Sequence, residues 1–135
     1  MKSKKSSSVA CPCGGGELAA CCGRYHQPDA PPAPTAQALM RSRYSAFALG
    51  LEDYLLATWH PSTRPETLGL EEDAGVVKWI GLEIKRCEAG REGDSEGTVE
   101  FVARWKVGGK AERLHEISRF VREDGRWYYV AGELR

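Results

Sequence analysis

Residues 97–109 read GTVEFVARWKVGG. Val99, Phe101, Ala103, Trp105 and Val107 take every second position, with Glu100, Arg104 and Lys106 between them. A two-residue period puts one set on each face of a β-strand. Outward from this stretch the same period holds in VVKWIGLEIKRCEA at 76–89, ERLHEISRFVREDG at 112–125 and GRWYYVAGEL at 125–134. In the first of these, Ile80, Leu82 and Ile84 are expected on one face and Trp79, Glu83 and Lys85 on the other. The joins GREGDSEG, GGK and EDG are rich in turn formers. Strands joined so briefly pair as antiparallel neighbours.

Upstream the period lengthens to that of a helix. Leu39, Met40, Arg43, Tyr44 and Phe47 recur at three- and four-residue steps, which predicts a helix from about Ala36 to Leu49. Thr35 is its N-cap and Gly50 its stop. A second helix begins near Leu51, with Leu51, Tyr54, Leu55 and Trp59 on one side, and ends before Pro61. PETLGLEED at 65–73 is a candidate short third helix. Helices followed by a strand meander give an α+β domain over 35–135: two to three helices on a curved four-stranded antiparallel sheet.

The rest of the chain sets the context. Its 135 residues carry 19 basic and 19 acidic side chains, so nothing global marks a nucleic-acid binder. Residues 1–10 open with MKSKK and a serine run, and read as a disordered tail. No apolar segment follows it as a signal peptide requires, and no run of about eighteen apolar residues exists. The expected location is the cytoplasm. QPDAPPAP at 27–34 holds four prolines and reads as a semi-rigid linker.

Between tail and linker lies CPCGGGELAACCGRYH, residues 11–26. Four of the five cysteines, Cys11, Cys13, Cys21 and Cys22, fall within it as two close pairs. A zinc ion takes four soft, deprotonated donors in a tetrahedron, with sulfurs about 2.3 Å from the metal. The GGG at 14–16 makes the fold-back turn sterically cheap, and Arg24 is near enough to offset thiolate charge. His26 is an alternative fourth ligand, its plainer reading being a linker histidine. The competing reading of the cluster is buried or oxidised thiols, but Cys21 and Cys22 are adjacent and pair poorly with each other. Four protein ligands leave no open position, so the expected ion is structural. Cys87, in a strand, reads as a small hydrophobe or a solvent-facing thiol.

This segment resembles the zinc-binding motif at the C-terminus of the SecA translocation ATPase. That motif usually spaces its cysteine pairs by eight residues, whereas here seven intervene. APTAQALMRSRYSAFALGLEDYLLATWHPSTRP at 33–65 and LHEISRFVREDGRWYYVAGEL at 114–134 resemble the YchJ-like family of uncharacterised bacterial proteins. The resemblance implies a zinc knuckle followed by a cone domain of the cystatin-like, nuclear-transport-factor-like kind. It implies the metal-ligand role for Cys11, Cys13, Cys21 and Cys22, with Zn2+ as cofactor. It supplies no activity.

In a cone the sheet wraps a helix and can leave a cavity. Val99, Phe101, Ala103 and Trp105 are expected inside, and Leu114 and Phe120 share parity with Glu116 and Ser118. A buried carboxylate needs a partner, for which Arg41 or Arg43 is the natural candidate. Tyr44, Trp59 and His60 are expected to close the same space. Glu116 then reads as a general base with His60 or Tyr44 as acid, or, more plainly, as an ion pair with Arg43 that seats helix on sheet.

Three functions follow. The leading one is an interaction module, the zinc knuckle docking on a protein or ribosomal partner, linked to export or translation by the SecA-like motif. The second is a small ligand, or proton-transfer chemistry, in the cone pocket. The third is a purely structural zinc. No membrane span and no nucleic-acid partner are expected, the leaning is away from an enzyme, and no oligomeric state is assigned.

Overall fold

The computed structural model of the protein describes residues 9–70 and 76–135. After the first cysteine pair come a 3-10 turn at Leu18–Ala20 and a single-turn helix, α1 (Gly23–His26). Two further helices follow, α2 (Ala36–Leu49) and α3 (Glu52–Ala57). Four strands complete the chain: β1 (Val77–Ala89), β2 (Glu96–Val107), β3 (Lys110–Glu123) and β4 (Arg126–Leu134). They form one antiparallel sheet in sequence order, β1-β2-β3-β4. This is the expected α+β architecture. The expected helix at 65–73 is not seen over 65–69, and its end lies outside the described residues, as do residues 1–8 of the tail.

The signals that start and stop α2 act as the sequence implies. The Thr35 side chain accepts from the Ala38 N–H at 3.0 Å, satisfying a donor of the first turn. Gly50 ends the helix in the left-handed region, at φ 74°. Leu39, Met40 and Tyr44 are buried against the sheet with Val99, Phe101, Ala103 and Phe120.

Strand β1 departs from a plain alternation. Trp79 pairs with Trp105 and Gly81 with Arg104, so Ile80 is an extra residue in a bulge. The extra residue exchanges the two faces. Trp79 joins Leu82 and Ile84 against the core, and Ile80 is left 50% exposed. The expected grouping of Ile80 with Leu82 and Ile84 is therefore corrected. The bulge frees the Gly81 N–H, which donates to the Tyr44 hydroxyl at 2.9 Å and ties α2 to the sheet. A second irregularity follows at Ile84/Arg86, and a third lies at Arg119/Phe120, where β3 meets β4. Bulges of this kind bend strands and let the sheet wrap the helix.

Beyond α3 the chain lies beside β4. The Tyr129 N–H donates to the Thr58 carbonyl at 2.8 Å, and the His60 N–H donates to the Tyr129 carbonyl at 2.8 Å. This short parallel bridge holds Trp59 against Tyr129, with ring centroids 5.0 Å apart. The proline segment is likewise anchored to the body: Ala33 is buried, and Trp127 Nε1 donates to the Pro34 carbonyl at 3.2 Å.

Candidate functional site

The four clustered cysteines meet. Their sulfurs all lie within 4.8 Å of one another. Cys13 Sγ is central, 3.5 Å from Cys11 Sγ, 3.5 Å from Cys21 Sγ and 3.6 Å from Cys22 Sγ. Four sulfurs at about 2.3 Å from one ion stand about 3.8 Å apart, so the cluster fits a tetrahedral metal site. The backbone is shaped to this packing. A Cβ on Gly15 would stand 2.8 Å from Cys21 Sγ and 3.3 Å from Cys13 Sγ, so the turn needs a residue without a side chain there. The Cys11 N–H donates to the Gly16 carbonyl at 2.7 Å and closes the turn.

The electrostatics of the cluster are those of one thiolate shared by thiols. Hydrogen bonds received from Cys22 first, and then from Cys11, Cys21 and the Gly15 N–H, hold Cys13 at about 4 against the opposing effect of burial. Donating to Cys13, together with burial, pushes Cys22 far up, and burial first of all raises Cys21. The concentration of sulfur thus already favours one anion, and a cation at its centre would displace the remaining protons.

His26 is not part of this cluster. Its Nε2 lies 3.0 Å from the Ser42 carbonyl, and its ring meets Tyr54 edge-on at 4.9 Å. Arg24 turns to the backbone, its Nε donating to the Cys21 carbonyl at 2.9 Å. Cys87 is exposed at the far end of β1 and takes a hydrogen bond from Gln37 at 3.2 Å.

The module is built onto the body. Cys11, Cys13 and Cys22 are buried in the same core as Leu39, Met40 and Tyr44. Cys11 Sγ lies 3.2 Å from the Ser45 hydroxyl, and Arg41 Nη1 donates to the Cys13 carbonyl at 3.2 Å. Ser42 and Ser45 on α2 are fully buried because α3 and the cysteine module cover that flank.

On its other flank α2 faces a cavity of about 190 Å3. Glu116, Ser118, Arg43, Tyr44 and Trp59 all line it. Phe101 and Ala103 line it as expected, and Trp79 and Tyr129, which the alternation alone does not place there, line it too. His60 does not. It sits outside, with Nδ1 2.7 Å from Ser62 Oγ and Nε2 2.9 Å from Glu123 Oε2, because the bridge to β4 turns it away from Trp59.

The expected ion pair of Glu116 with Arg41 or Arg43 is corrected. Arg41 is engaged by Gln37 and the Cys13 carbonyl. Arg43 Nη1 donates to the Leu55 carbonyl at 2.8 Å and to Thr58 Oγ1 at 2.6 Å. The Arg43 guanidinium lies over the rings of Tyr129, at 4.7 Å, and Trp59, at 5.1 Å. Burial pushes it down to about 10, so it remains a cation at neutral pH. Glu116 instead accepts from the Ser118 hydroxyl at 2.8 Å. Its carboxyl lies over Gly132 of β4, in space that a Cβ would occupy. Burial, and then the nearby Glu116 charge, raise the Tyr129 phenol, so the carboxylate and the guanidinium are felt across one ring.

Residues 35–132 match the family described as the YchJ middle, NTF2-like domain. The chain belongs to the YchJ family. A UPF0225 protein of Chromobacterium violaceum is 84% identical over 132 residues, covering 98% of both chains. A Bordetella parapertussis relative, also a UPF0225 protein, is 54% identical over 137 residues and covers all of both chains. Two solved structures extend the likeness to the whole YchJ-type architecture. A SEC-C motif containing protein from Rhodopseudomonas palustris superposes with a TM-score of 0.79 at 35% identity, covering 93% of this chain and 98% of that one. A second, from Psychrobacter arcticus, gives a TM-score of 0.79 at 29% identity over 96% of this chain and 84% of that one. Among the described residues no helix is long and apolar enough to cross a membrane.

Proposed function

We propose that the protein is a zinc-clasped ligand-binding protein. The thiolates of Cys11, Cys13, Cys21 and Cys22 hold one zinc ion, the ion fastens the N-terminal segment to α2, and the cavity on the far flank of α2 is the working site. The observation that carries this reading is that one helix serves both. Ser45 meets Cys11 on one flank, and Arg43 and Tyr44 line the cavity on the other. Zinc suits the donor set because four soft sulfurs complete a tetrahedron, and a complete set leaves no position for a substrate. The SEC-C motif named for both solved relatives supports the choice of ion.

Docking of the module on a protein or ribosomal partner, in export or translation, is the second reading, and that same motif is its support. The outward surface speaks less for it. Gly14, Gly15, Gly16, Glu17, Ala19 and Ala20 are exposed and offer no large anchor, which leaves exposed Arg24 and the half-buried Tyr25 ring beneath it as the module's candidate anchors for a partner.

Native mass spectrometry of the purified protein checks the metal: one zinc per chain is expected. Cys11→Ser then separates the readings. A clasp that shares the core should, when lost, lower the melting temperature of the whole chain. A docking knuckle shares that packing, so the result that marks docking is loss of partner capture on Cys11→Ser.

A further inference from the structure

The cavity beside α2 has an unusual charge arrangement. Arg43 is only 4% exposed, yet among the described residues it has no carboxylate partner, and its recorded hydrogen bonds use Nη1 alone. A buried cation without a counter-charge is costly. The two aromatic faces beside it and the Leu55 carbonyl offset part of that cost, and neither supplies a negative charge. Trp59, which lines the same space, has a buried Nε1–H with no acceptor. The cavity wall therefore carries a cation with no direct counter-charge, and the orphan indole N–H beside it is shut off from solvent. Glu116, the carboxylate in the cavity, accepts from Ser118, lies over Gly132 and forms no ion pair with Arg43.

The remaining walls are apolar. Phe47, Trp79, Phe101 and Leu114 present flat or branched surface to about 190 Å3 of space. A cavity of about 150 Å3 lined by such residues accommodates benzene. The space here suits one ring with short substituents.

We propose that this cavity binds a small, ring-sized organic monocarboxylate, with the carboxylate on Arg43 beside the Trp59 ring and the apolar body against Phe101 and Leu114. A hydroxyl group on the ring would donate to Glu116, which lines the same space. The inference rests on the cavity being the working site and adds the class of ligand. A carboxylate meets the guanidinium with a counter-charge and two acceptor oxygens, whereas a neutral amide of the same shape offers one acceptor and no charge.

The test uses the full chain and two probes of equal size, 4-hydroxybenzoate and 4-hydroxybenzamide. Binding is followed by titration calorimetry and by the indole N–H resonances of the four tryptophans, with Trp59→Phe identifying that of Trp59. The expected result is that the acid binds about tenfold or more tightly than the amide, the worth of a hydrogen bond to a charged group. The Trp59 resonance should move on binding of the acid. Arg43→Lys, which keeps the charge but loses the planar fork, should weaken the acid and leave the amide nearly unchanged. If the amide binds as well as the acid, the cavity remains a ligand site and the carboxylate assignment is overturned. If neither probe moves the Trp59 resonance, the carboxylate assignment falls. The comparison of acid with amide is made on the native protein, so it stands even if Arg43→Lys fails to fold.

Discussion

Cys11 Sγ lies 3.2 Å from the hydroxyl of Ser45, a residue fully buried on α2 and thirty-four positions along the chain. The contact places the cysteine module inside the packing of the body. A change at the cysteine cluster is therefore a change in the packing of the helix that also forms the cavity wall.

Metal removal should therefore destabilise the whole protein. Structural zinc binding is coupled to folding, so its loss is felt as lost folding free energy. Treatment with a strong chelator should lower the midpoint of a single calorimetric transition by more than about 5 °C. An unchanged transition, with the metal shown to be gone, would mean that the module melts independently of the body.

Gly15 gives a more local test. Its Cβ position is 2.8 Å from Cys21 Sγ, so Gly15→Ala should push one ligand out of place without touching the sheet. A loss of about 10–100-fold in zinc affinity is expected, as for changes that disturb ligand orientation. Competition with a colorimetric chelator measures it. Equal affinity in the two proteins would count against the packed geometry of the cluster.

How far the sequence anticipates this structure depends on the range of the interactions. The alternation at Val99, Phe101 and Ala103 and the caps at Thr35 and Gly50 are local signals, and each has its expected place. The meeting of the four cysteines is also nearly local, since the pairs are separated by one short turn. What could not be read depends on a single extra residue or on a tertiary neighbour. Ile80 leaves the core because one residue bulges, and nothing in an apolar run marks which residue that will be. His60 misses the cavity because its backbone pairs with Tyr129, sixty-nine positions away. Arg43 finds carbonyl and ring partners in place of Glu116 because α3 and β4 reach it first. The small residues Ser42, Ser45 and Ala46 were a legible hint that the second flank of α2 is packed, since small side chains allow close approach.

Tyr44 links that bulge to the helix. Its hydroxyl accepts from the Gly81 N–H at 2.9 Å, and the side chain is 2% exposed. Tyr44→Phe would leave the amide without an acceptor. The expected cost is about 1–3 kcal/mol, the penalty of an unsatisfied buried donor. Urea denaturation should show a lower midpoint with the slope unchanged, since the surface exposed on unfolding is the same. A midpoint equal to that of the native protein would show that water reaches the bulge.

Glu52 makes the stability pH-dependent. Its Oε2 accepts from the Leu68 N–H at 3.1 Å and from Thr67 Oγ1 at 2.9 Å, and its Oε1 accepts from the Leu70 N–H at 3.2 Å. The backbone N–H groups of Leu68 and Leu70, and then the Thr67 hydroxyl, hold the carboxyl below its ordinary value of 4.5. The folded protein therefore binds this proton less readily than the unfolded chain. The contribution is complete above the ordinary value and is lost as the pH falls through the lower, folded value. Glu52→Gln should remove that part of the acid dependence, flattening the fall of the denaturation midpoint below about pH 4.5, and it should loosen the segment at 67–70. Hydrogen exchange at Leu68 and Leu70 reads the second effect directly. Faster exchange at both amides in the variant is expected, and equal exchange would show that the loop is held by something other than this carboxylate.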